Sequence, residues 1–203
     1  MRKTLQKFCV SVCVIVCVNA LAMSALPQTM VHATAPVAEQ SVVSRPQHEY
    51  AHVRAAFTPG DNIEAQINKE IRAARSSVRM QAYFFTSKSI ADELIRALKR
   101  GVKVAVIADA AGYTNGGAPV LPRLAEAGAE VSLNDKHKSS HNKIIIVDAE
   151  LARATVITGS YNFTRAAQTQ NAENVVILSG NAELVRKFHE NWQFHRARST
   201  LLQ

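Results

Sequence analysis

The chain has 203 residues, of which 47% are hydrophobic, and this is enough for one domain of ordinary size with its own core. Lys and Arg outnumber Asp and Glu by 24 to 16, which gives a formal net charge of +8. A basic balance suits a polyanionic partner such as nucleic acid or an anionic lipid surface, although many basic proteins bind neither. The charge therefore excludes neither class of substrate, and the motifs have to decide.

The N-terminal residues have the layout of a secretory signal peptide. Three basic residues among the first seven precede an uncharged apolar run over residues 8–26, and small residues follow it. The alternative is an uncleaved anchor, because the run approaches the length of about 20 residues that a membrane-spanning helix needs. Pro27 and small residues stand where a stop-transfer segment would be basic, and they favour cleavage. We expect residues 1–35 to contain the signal peptide, with cleavage between residues 22 and 36.

Removal of residues 1–35 would change the composition of the mature chain. It takes away three basic and no acidic residues, so the net charge falls from +8 to +5. It also takes away all three cysteines, Cys9, Cys13 and Cys17. A cysteine-free domain excludes disulfides, thiolate nucleophiles and Cys-ligated zinc. We expect an exported protein, periplasmic or secreted, with no stable membrane association after signal cleavage.

The pattern of apolar residues predicts one domain after a spacer. Residues 36–48 contain Pro and Ser without periodic apolar positions and form the expected spacer. A single catalytic domain is expected over residues 49–203. Its predicted strands cover residues 49–57, 78–85, 102–110, 130–135, 143–148, 154–158 and 174–178. Its predicted helices cover residues 61–75, 89–101, 120–129 and 182–198.

The order of these elements predicts the fold class. Strands and helices alternate in the first half of the domain, and three apolar, β-branched runs follow before a C-terminal amphipathic helix. In that helix, Leu184, Phe188 and Trp192 are expected to face the sheet. We therefore predict an α/β fold with a mixed β-sheet that is flanked by helices on both faces.

One motif dominates the second half of the chain. His141, Lys143 and Asp148 form the pattern H-x-K-x4-D, and eleven residues after it the sequence reads GSYN over residues 159–162. This pair resembles the HKD signature of the phospholipase D superfamily. The segment GSYNFTRAAQTQNAENVVIL is similar to its short bacterial branch, the EDTA-resistant endonucleases. The resemblance implies a phospholipase D-like fold, metal-free hydrolysis of phosphodiesters through a phosphohistidine, and a site assembled from two HKD motifs.

The chemistry of phosphodiester cleavage can be assigned to these residues. It needs a nucleophile, cationic or N–H donors for the non-bridging oxygens, and an acid for the leaving oxygen. His141 is the predicted nucleophile, and Lys143 shares its face because alternate strand side chains point the same way. Ser160 and Asn162 lie in a loop after a strand and, with Lys143, are predicted to bind phosphate. Each could by itself be an ordinary loop or surface residue, and the motif favours the functional interpretation.

Two acidic residues, Asp148 and Glu173, join the predicted catalytic set with different roles. Seven strand residues put Asp148 about 20 Å from His141 and on the opposite face. In a regular strand Asp148 is therefore structural, accepting hydrogen bonds or pairing with an Arg near the following turn. Glu173 is expected to orient the imidazole of His141, as the matching acidic residue does in the family. The alternative for Glu173 is a solvated position at a strand start.

No metal site and no cofactor are expected. His137 and His141 are four residues apart, but the residues between them do not predict a helix, and no carboxylate cluster accompanies them. The leading function is a nonspecific endonuclease acting on DNA, with RNA left open. A phosphodiesterase acting on cardiolipin or a similar anionic lipid would use the same chemistry, and a binding module with a decayed site is the third alternative.

The number of motifs leads to an expectation about assembly. Cleavage through His141 also needs an acid for the leaving oxygen, and a second histidine facing the first would supply it. The chain has one HKD motif and no duplicated strand-helix unit. We therefore expect a homodimer with a composite active site, to which each copy contributes His141.

Overall fold

The structure, a computed structural model, describes residues 52–202, which contain eight strands and six helices. The strands are β1 (His52–Thr58), β2 (Ser77–Ala82), β3 (Lys103–Asp109), β4 (Glu130–Asn134), β5 (Lys143–Val147), β6 (Thr155–Gly159), β7 (Glu173–Ser179) and β8 (Thr200–Leu201). The helices are α1 (Ile63–Ala73), α2 (Lys88–Lys99), α3 (Ala110–Thr114), α4 (Leu121–Glu126), α5 (Arg165–Thr169) and α6 (Ala182–Arg196). The predicted signal peptide and spacer, residues 1–48, lie outside the described residues. Within residues 52–202, no helix is long and apolar enough to cross a membrane.

The strands form one mixed sheet in the order β1-β7-β6-β5-β2-β3-β4-β8. The pairs β2–β3 and β3–β4 are parallel, and all other neighbouring pairs are antiparallel. Because β2, β3 and β4 are parallel, their carboxyl ends lie side by side. We call the side of the sheet formed by these strand ends the edge that carries the motif. The antiparallel strand β5 starts at that edge, where Lys143 pairs with Ala82 at the end of β2. The predicted mixed sheet is confirmed, and its topology brings the motif to this edge.

Helices cover both faces of the sheet, as predicted. The larger core lies against α1, α2 and α4, whereas the smaller core lies against α6. Successive residues of β5 divide between them, since Ile145 belongs to the larger core and Ile144 and Ile146 belong to the smaller one. This division follows from the period of two in a strand. All five residues of β5 are buried, so the strand that starts at the motif is fixed from both sides.

Local signals set several helix boundaries. The Ser87 side chain caps α2 by accepting a hydrogen bond from Ile90 N, which satisfies one of the free N–H groups at the helix start. Gly101 and Gly128 follow α2 and α4 with φ of +86° and +95°, a region that favours glycine. These two glycines end the helices close to the predicted positions.

The buried face of α6 differs from the prediction at one position. Trp192 is buried and Phe188 packs partly against the same core, as expected. Val185 completes this face in place of Leu184, because residues 185, 188 and 192 follow the spacing of a single helical stripe. The prediction also missed α3, α5 and β8, which have five, five and two residues and are too short to show a periodic pattern.

Candidate active site

The segment between β4 and β5 positions the predicted nucleophile. Residues 135–142 begin at the end of β4 and cross the end of β3, where Ser140 N donates to Asp109 Oδ1 at 2.6 Å. The other carboxylate oxygen of Asp109 accepts from Gly112 N, also at 2.6 Å. Asp109 is 2% exposed, so a buried carboxylate holds the residue next to His141. His141 and the start of β5 therefore lie beside the end of β2.

His141 is exposed at this edge and contacts two side chains. The ring of Tyr83, the residue after β2, has its centroid 4.3 Å from that of the imidazole. Lys143 Nζ lies 2.9 Å from His141 Nδ1 and 3.3 Å from Nε2, and it donates to His141 O at 2.8 Å. The structure thus brings together the two residues that the motif predicts to act together.

The ammonium group of Lys143 is held in a largely apolar setting. The residue is 7% exposed, and Nζ lies 5.0 Å from the centroid of the Tyr83 ring in a cation–π contact. Burial lowers the pKa of Lys143, and the negative charge of Glu173 opposes this shift. All hydrogen bonds that Nζ makes within residues 52–202 are with His141. A phosphate oxygen would therefore meet a cation that no carboxylate neutralises directly.

The loop after β6 reaches the same edge through the segment after β2. Phe163 N donates to Phe84 O at 3.2 Å, and Phe163 O accepts from the backbone N–H groups of residues 86 and 87. Gly159 allows a close approach to β7, because a Cβ atom there would overlap the carbonyl oxygen of Asn174. Asn162 lies next to Phe163 in this loop. Its Oδ1 is buried and has no partner within the described residues, so its predicted role in phosphate binding stays a prediction.

Ser160 and Glu173 contact each other, and this changes the part that each can play. Ser160 Oγ donates to Glu173 Oε2 at 2.6 Å, and Asn171 Nδ2 donates to Oε1 at 2.9 Å. Within residues 52–202, Glu173 makes no hydrogen bond to His141, and its carboxylate accepts from these two neighbours instead, so its expected role in orienting the imidazole stays a prediction. Ser160 has one hydroxyl hydrogen, and a hydroxyl that donates to Glu173 cannot donate to phosphate at the same time. The contacts therefore favour a positioning role for both residues, in which Ser160 helps to hold the Glu173 carboxylate in place.

Asp148 follows the far end of β5, and the structure does not bring it to the site. Its carboxylate is 1% exposed and accepts backbone hydrogen bonds from residues 75, 76 and 77. Arg153 Nη2 donates to it at 2.6 Å, so the expected pairing with a following Arg is present. Burial opposes ionisation, but the backbone donors together with the Arg153 charge outweigh it and lower the pKa of Asp148. Among the predicted catalytic residues, Asp148 is thus a structural member.

Comparison with known proteins places this geometry in a family. A family model described as "Cardiolipin synthase, PLD-like domain" matches residues 67–195. The chain belongs to this phospholipase D-like family. It is accordingly a phosphodiesterase of the phospholipase D superfamily. Within residues 52–202, no group of three or more His, Cys, Asp or Glu side chains is arranged to hold a metal ion.

Individual relatives agree with the family match. The protein named phospholipase D from Rickettsia bellii is 37% identical over 147 residues, which are 72% of this chain and 70% of that protein. The mitochondrial cardiolipin hydrolase of Canis lupus familiaris is 30% identical over 143 residues, which are 70% of this chain and 54% of the hydrolase. Nuc, a phospholipase D family member from Salmonella typhimurium, has a similar structure with a TM-score of 0.71 and 32% identity, covering 76% of this chain and 99% of Nuc. These similarities confirm the predicted superfamily and fold.

Sequence reasoning missed two residues that shape the site. Tyr83 contacts both His141 and Lys143, and Asp109 fixes the segment that carries His141. Asp109 leaves a signal in the sequence, since an acidic residue at the end of an apolar strand is either exposed or bound to N–H groups. Tyr83 leaves none, because its position opposite the motif depends on the pairing of β2 with β5.

Proposed function

We propose that this phosphodiesterase is a metal-independent, sequence-nonspecific endonuclease that hydrolyses DNA, with RNA left open as a second substrate. The observation that carries the proposal is the pair formed by His141 and Lys143, a nucleophile 2.9 Å from a cation at an exposed edge. An exposed site suits a polymer that must lie across the protein surface. The basic charge of the chain adds long-range attraction for a polyanion. Similarity to Nuc over 99% of its chain supports the same conclusion.

In the proposed reaction, His141 is the nucleophile. A ring nitrogen attacks phosphorus, and a P–N bond forms as the P–O bond to the leaving strand breaks. Lys143 and the amide of Asn162 stabilise the negative charge on the non-bridging oxygens. Water then attacks the phosphohistidine, which regenerates His141 and leaves a terminal phosphate on one strand. The leaving oxygen must gain a proton in the first step, and the water must lose one in the second.

We propose that a second copy of the chain supplies this proton transfer. The chain has one HKD motif, and its exposed His141 is accessible to the His141 of another copy across a two-fold axis. One imidazole would be neutral when it attacks and the other charged when it donates. The pair would titrate with coupled apparent pKa values and give a bell-shaped pH profile.

A lipid phosphodiesterase is the second candidate function. The names of the relatives favour it, since one is a phospholipase D and another a cardiolipin hydrolase. A lipid phosphodiester would use the same nucleophile and the same cation. The two candidates therefore differ in the surface around the site and not in its chemistry.

One assay separates the candidates. Purified protein without residues 1–35 is incubated with plasmid DNA, RNA and cardiolipin vesicles, each with excess EDTA. We expect plasmid cleavage to survive chelation, because Lys143 stands where other nucleases place a metal ion. Hydrolysis of the vesicles alone would support the lipid candidate. Activity that disappears in EDTA and returns only with a divalent ion would contradict the proposed mechanism.

The composite site is tested by mixing. Wild-type and His141→Ala chains are coexpressed at known ratios and purified together. If each site needs both histidines, activity falls as the square of the wild-type fraction. A linear loss from freely mixed dimers would show that each copy works alone.

A further inference from the structure

A cluster of cationic and aromatic side chains lies at the end of β4, beside the segment that carries His141. Three members, Lys136, His137 and Lys138, belong to residues 135–142 and are exposed. The others are Phe194, His195 and Arg198, at the end of α6 and just after it. We call these six residues the α6-loop surface.

The fold places this surface on the same edge of the sheet as the site. Asn134, the last residue of β4, donates to Ser199 Oγ at 3.0 Å and to His195 O at 3.4 Å, which holds the end of α6 there. From that point residues 135–142 cross the end of β3 and reach His141 beside β2. His137 is four residues from His141, so their Cα atoms are at most about 14 Å apart.

Four members of the surface contact one another in a row, in the order His137, His195, Phe194 and Arg198. The ring centroids of His137 and His195 are 5.3 Å apart, and so are those of Phe194 and His195. The guanidinium of Arg198 lies 3.6 Å from the centroid of Phe194 and donates to its carbonyl oxygen. Phe194 is nevertheless 47% exposed. A half-exposed ring held between a guanidinium and an imidazole is the kind of platform on which proteins stack unpaired bases.

The charge of the surface is poorly neutralised. Asp135 pairs with Lys136 at 2.8 Å, whereas within residues 52–202 neither Lys138 nor Arg198 forms an ion pair with a carboxylate. Burial lowers the pKa of His195, and the nearby positive charges of His137 and Arg198 lower it further. Repulsion among these groups would be relieved by a bound anion.

We infer that the α6-loop surface binds a nucleic-acid strand on one side of the scissile phosphate, with a base on Phe194 and phosphates on Lys138 and Arg198. The inference rests on the proposed nuclease function and adds a preference for unpaired strands. A base can stack on Phe194 only when its face is free, as it is in single-stranded DNA or RNA. An anionic membrane would also attract the cations, but Phe194 is a single ring among charges and not an apolar patch.

Binding can be measured without cleavage. In the His141→Ala background, the affinity for a fluorescent single-stranded 20-mer is compared with the affinity for the same sequence as a duplex. Phe194→Leu keeps an apolar side chain but removes the stacking face, and we expect about tenfold weaker binding of the single strand. Duplex binding should change less than twofold. Lys187→Ala, on an exposed turn of α6 nearer its start, is the matched control and should change neither.

Cleavage gives a second readout in the chain that retains His141. Phe194→Leu and Lys138→Ala should raise KM for single-stranded oligonucleotides and leave hydrolysis of bis(p-nitrophenyl) phosphate unchanged, because that diester is too small to reach the α6-loop surface. Equal losses on both substrates, or unchanged single-strand affinity in an intact fold, would overturn the inference. So would a loss confined to cardiolipin vesicles, which would assign the surface to membranes. Absence of nuclease activity in the wild-type chain would overturn the proposed function, and the binding measurement would still test the surface.

Discussion

The two ends of β5 carry the two parts of the HKD motif, and they are built in opposite ways. At the start of the strand, Lys143 is bonded only to His141 within residues 52–202 and has no carboxylate partner. After its end, Asp148 accepts from three backbone N–H groups and from Arg153. The first end keeps a cation that can bind an anion. The second end is saturated, since its carboxylate already accepts hydrogen bonds from all of these donors. Reactivity and structural anchoring are therefore divided between the two ends of one short strand.

The saturated end determines where the open end lies. Asp148 binds the residues just before and at the start of β2, and its own N–H donates to Ser77 O at 2.8 Å. These contacts fix the register of β5 against β2, in which Lys143 pairs with Ala82. His141 then lies beside Tyr83. Asp148 thus acts on the site through the register of a strand, and mutations at the two ends should separate activity from stability.

The largest effect is expected for His141→Ala. Loss of the nucleophile should lower turnover by a factor on the order of 10⁴ or more, because no other group within the site can form the phosphohistidine. The melting temperature should stay near that of the wild type, since His141 is exposed. His52→Ala, at an exposed histidine of β1, is the control and should keep full activity. Appreciable activity of His141→Ala, with wild-type melting, would contradict the assignment of the nucleophile.

Lys143→Gln should have the next largest effect. Removal of the cation should lower kcat by about 10²- to 10³-fold, the range seen when one donor to a developing oxyanion is lost. The lowered pKa of Lys143 also predicts that activity falls at a lower alkaline pH than an ordinary lysine would allow. Lys143→Arg keeps its charge at high pH and should lose the part of the alkaline decline that Lys143 contributes, whereas the decline due to the charged His141 of the pair should remain. An alkaline limb identical to that of the wild type would assign the whole decline to the His141 pair and none of it to Lys143.

Asp148→Asn should act on stability. It removes a buried charge that accepts three backbone hydrogen bonds, while Arg153 is partly exposed, so the free energy of unfolding should fall by about 2 kcal/mol. Turnover per folded molecule should stay within about tenfold of the wild type, because Asp148 does not contact the site. Arg186→Ala, which removes an exposed ion pair of α6, is the control and should cost about 0.5 kcal/mol or less. An inactive Asp148→Asn with unchanged melting behaviour would place Asp148 in the chemistry.

The same residue gives a pH dependence with a definite sign. The folded pKa of Asp148 lies below the unfolded value of about 3.9. Its negative charge therefore stabilises the folded state fully above that pH. The contribution is lost as the pH falls through the folded pKa. Acid denaturation of the wild type should therefore include a component that Asp148→Asn lacks. Urea titrations between neutral pH and pH 3 measure it, and parallel stability curves for the two proteins would contradict it.

The contrast also shows which parts of the site a sequence can predict. Alternation along a strand was enough to bring His141 and Lys143 together and to keep Asp148 away, because both follow from a fixed period of two. The partner of Glu173 could not be predicted in this way. Ser160 and Glu173 come from different strands, and their contact depends on the register of β6 against β7. The role of Tyr83 depends in the same way on strand pairing that no local pattern encodes.

Ser160→Ala should have the smallest effect and tests whether Ser160 holds Glu173 or binds phosphate. If Ser160 holds Glu173, loss of its hydroxyl leaves Asn171 as a donor to that carboxylate, and activity should fall by only about tenfold. If Ser160 instead donated directly to phosphate, kcat should fall by about 10²- to 10³-fold, as for Lys143→Gln. Ser160→Thr keeps the hydroxyl and should restore most of the activity.

Since Ser160 is exposed, neither variant should change the melting temperature by more than a few degrees, which corresponds to about 1 kcal/mol or less in the free energy of unfolding. A change in the alkaline limb of the pH profile in Ser160→Ala would be further support, because release of Glu173 alters the negative charge that acts on Lys143.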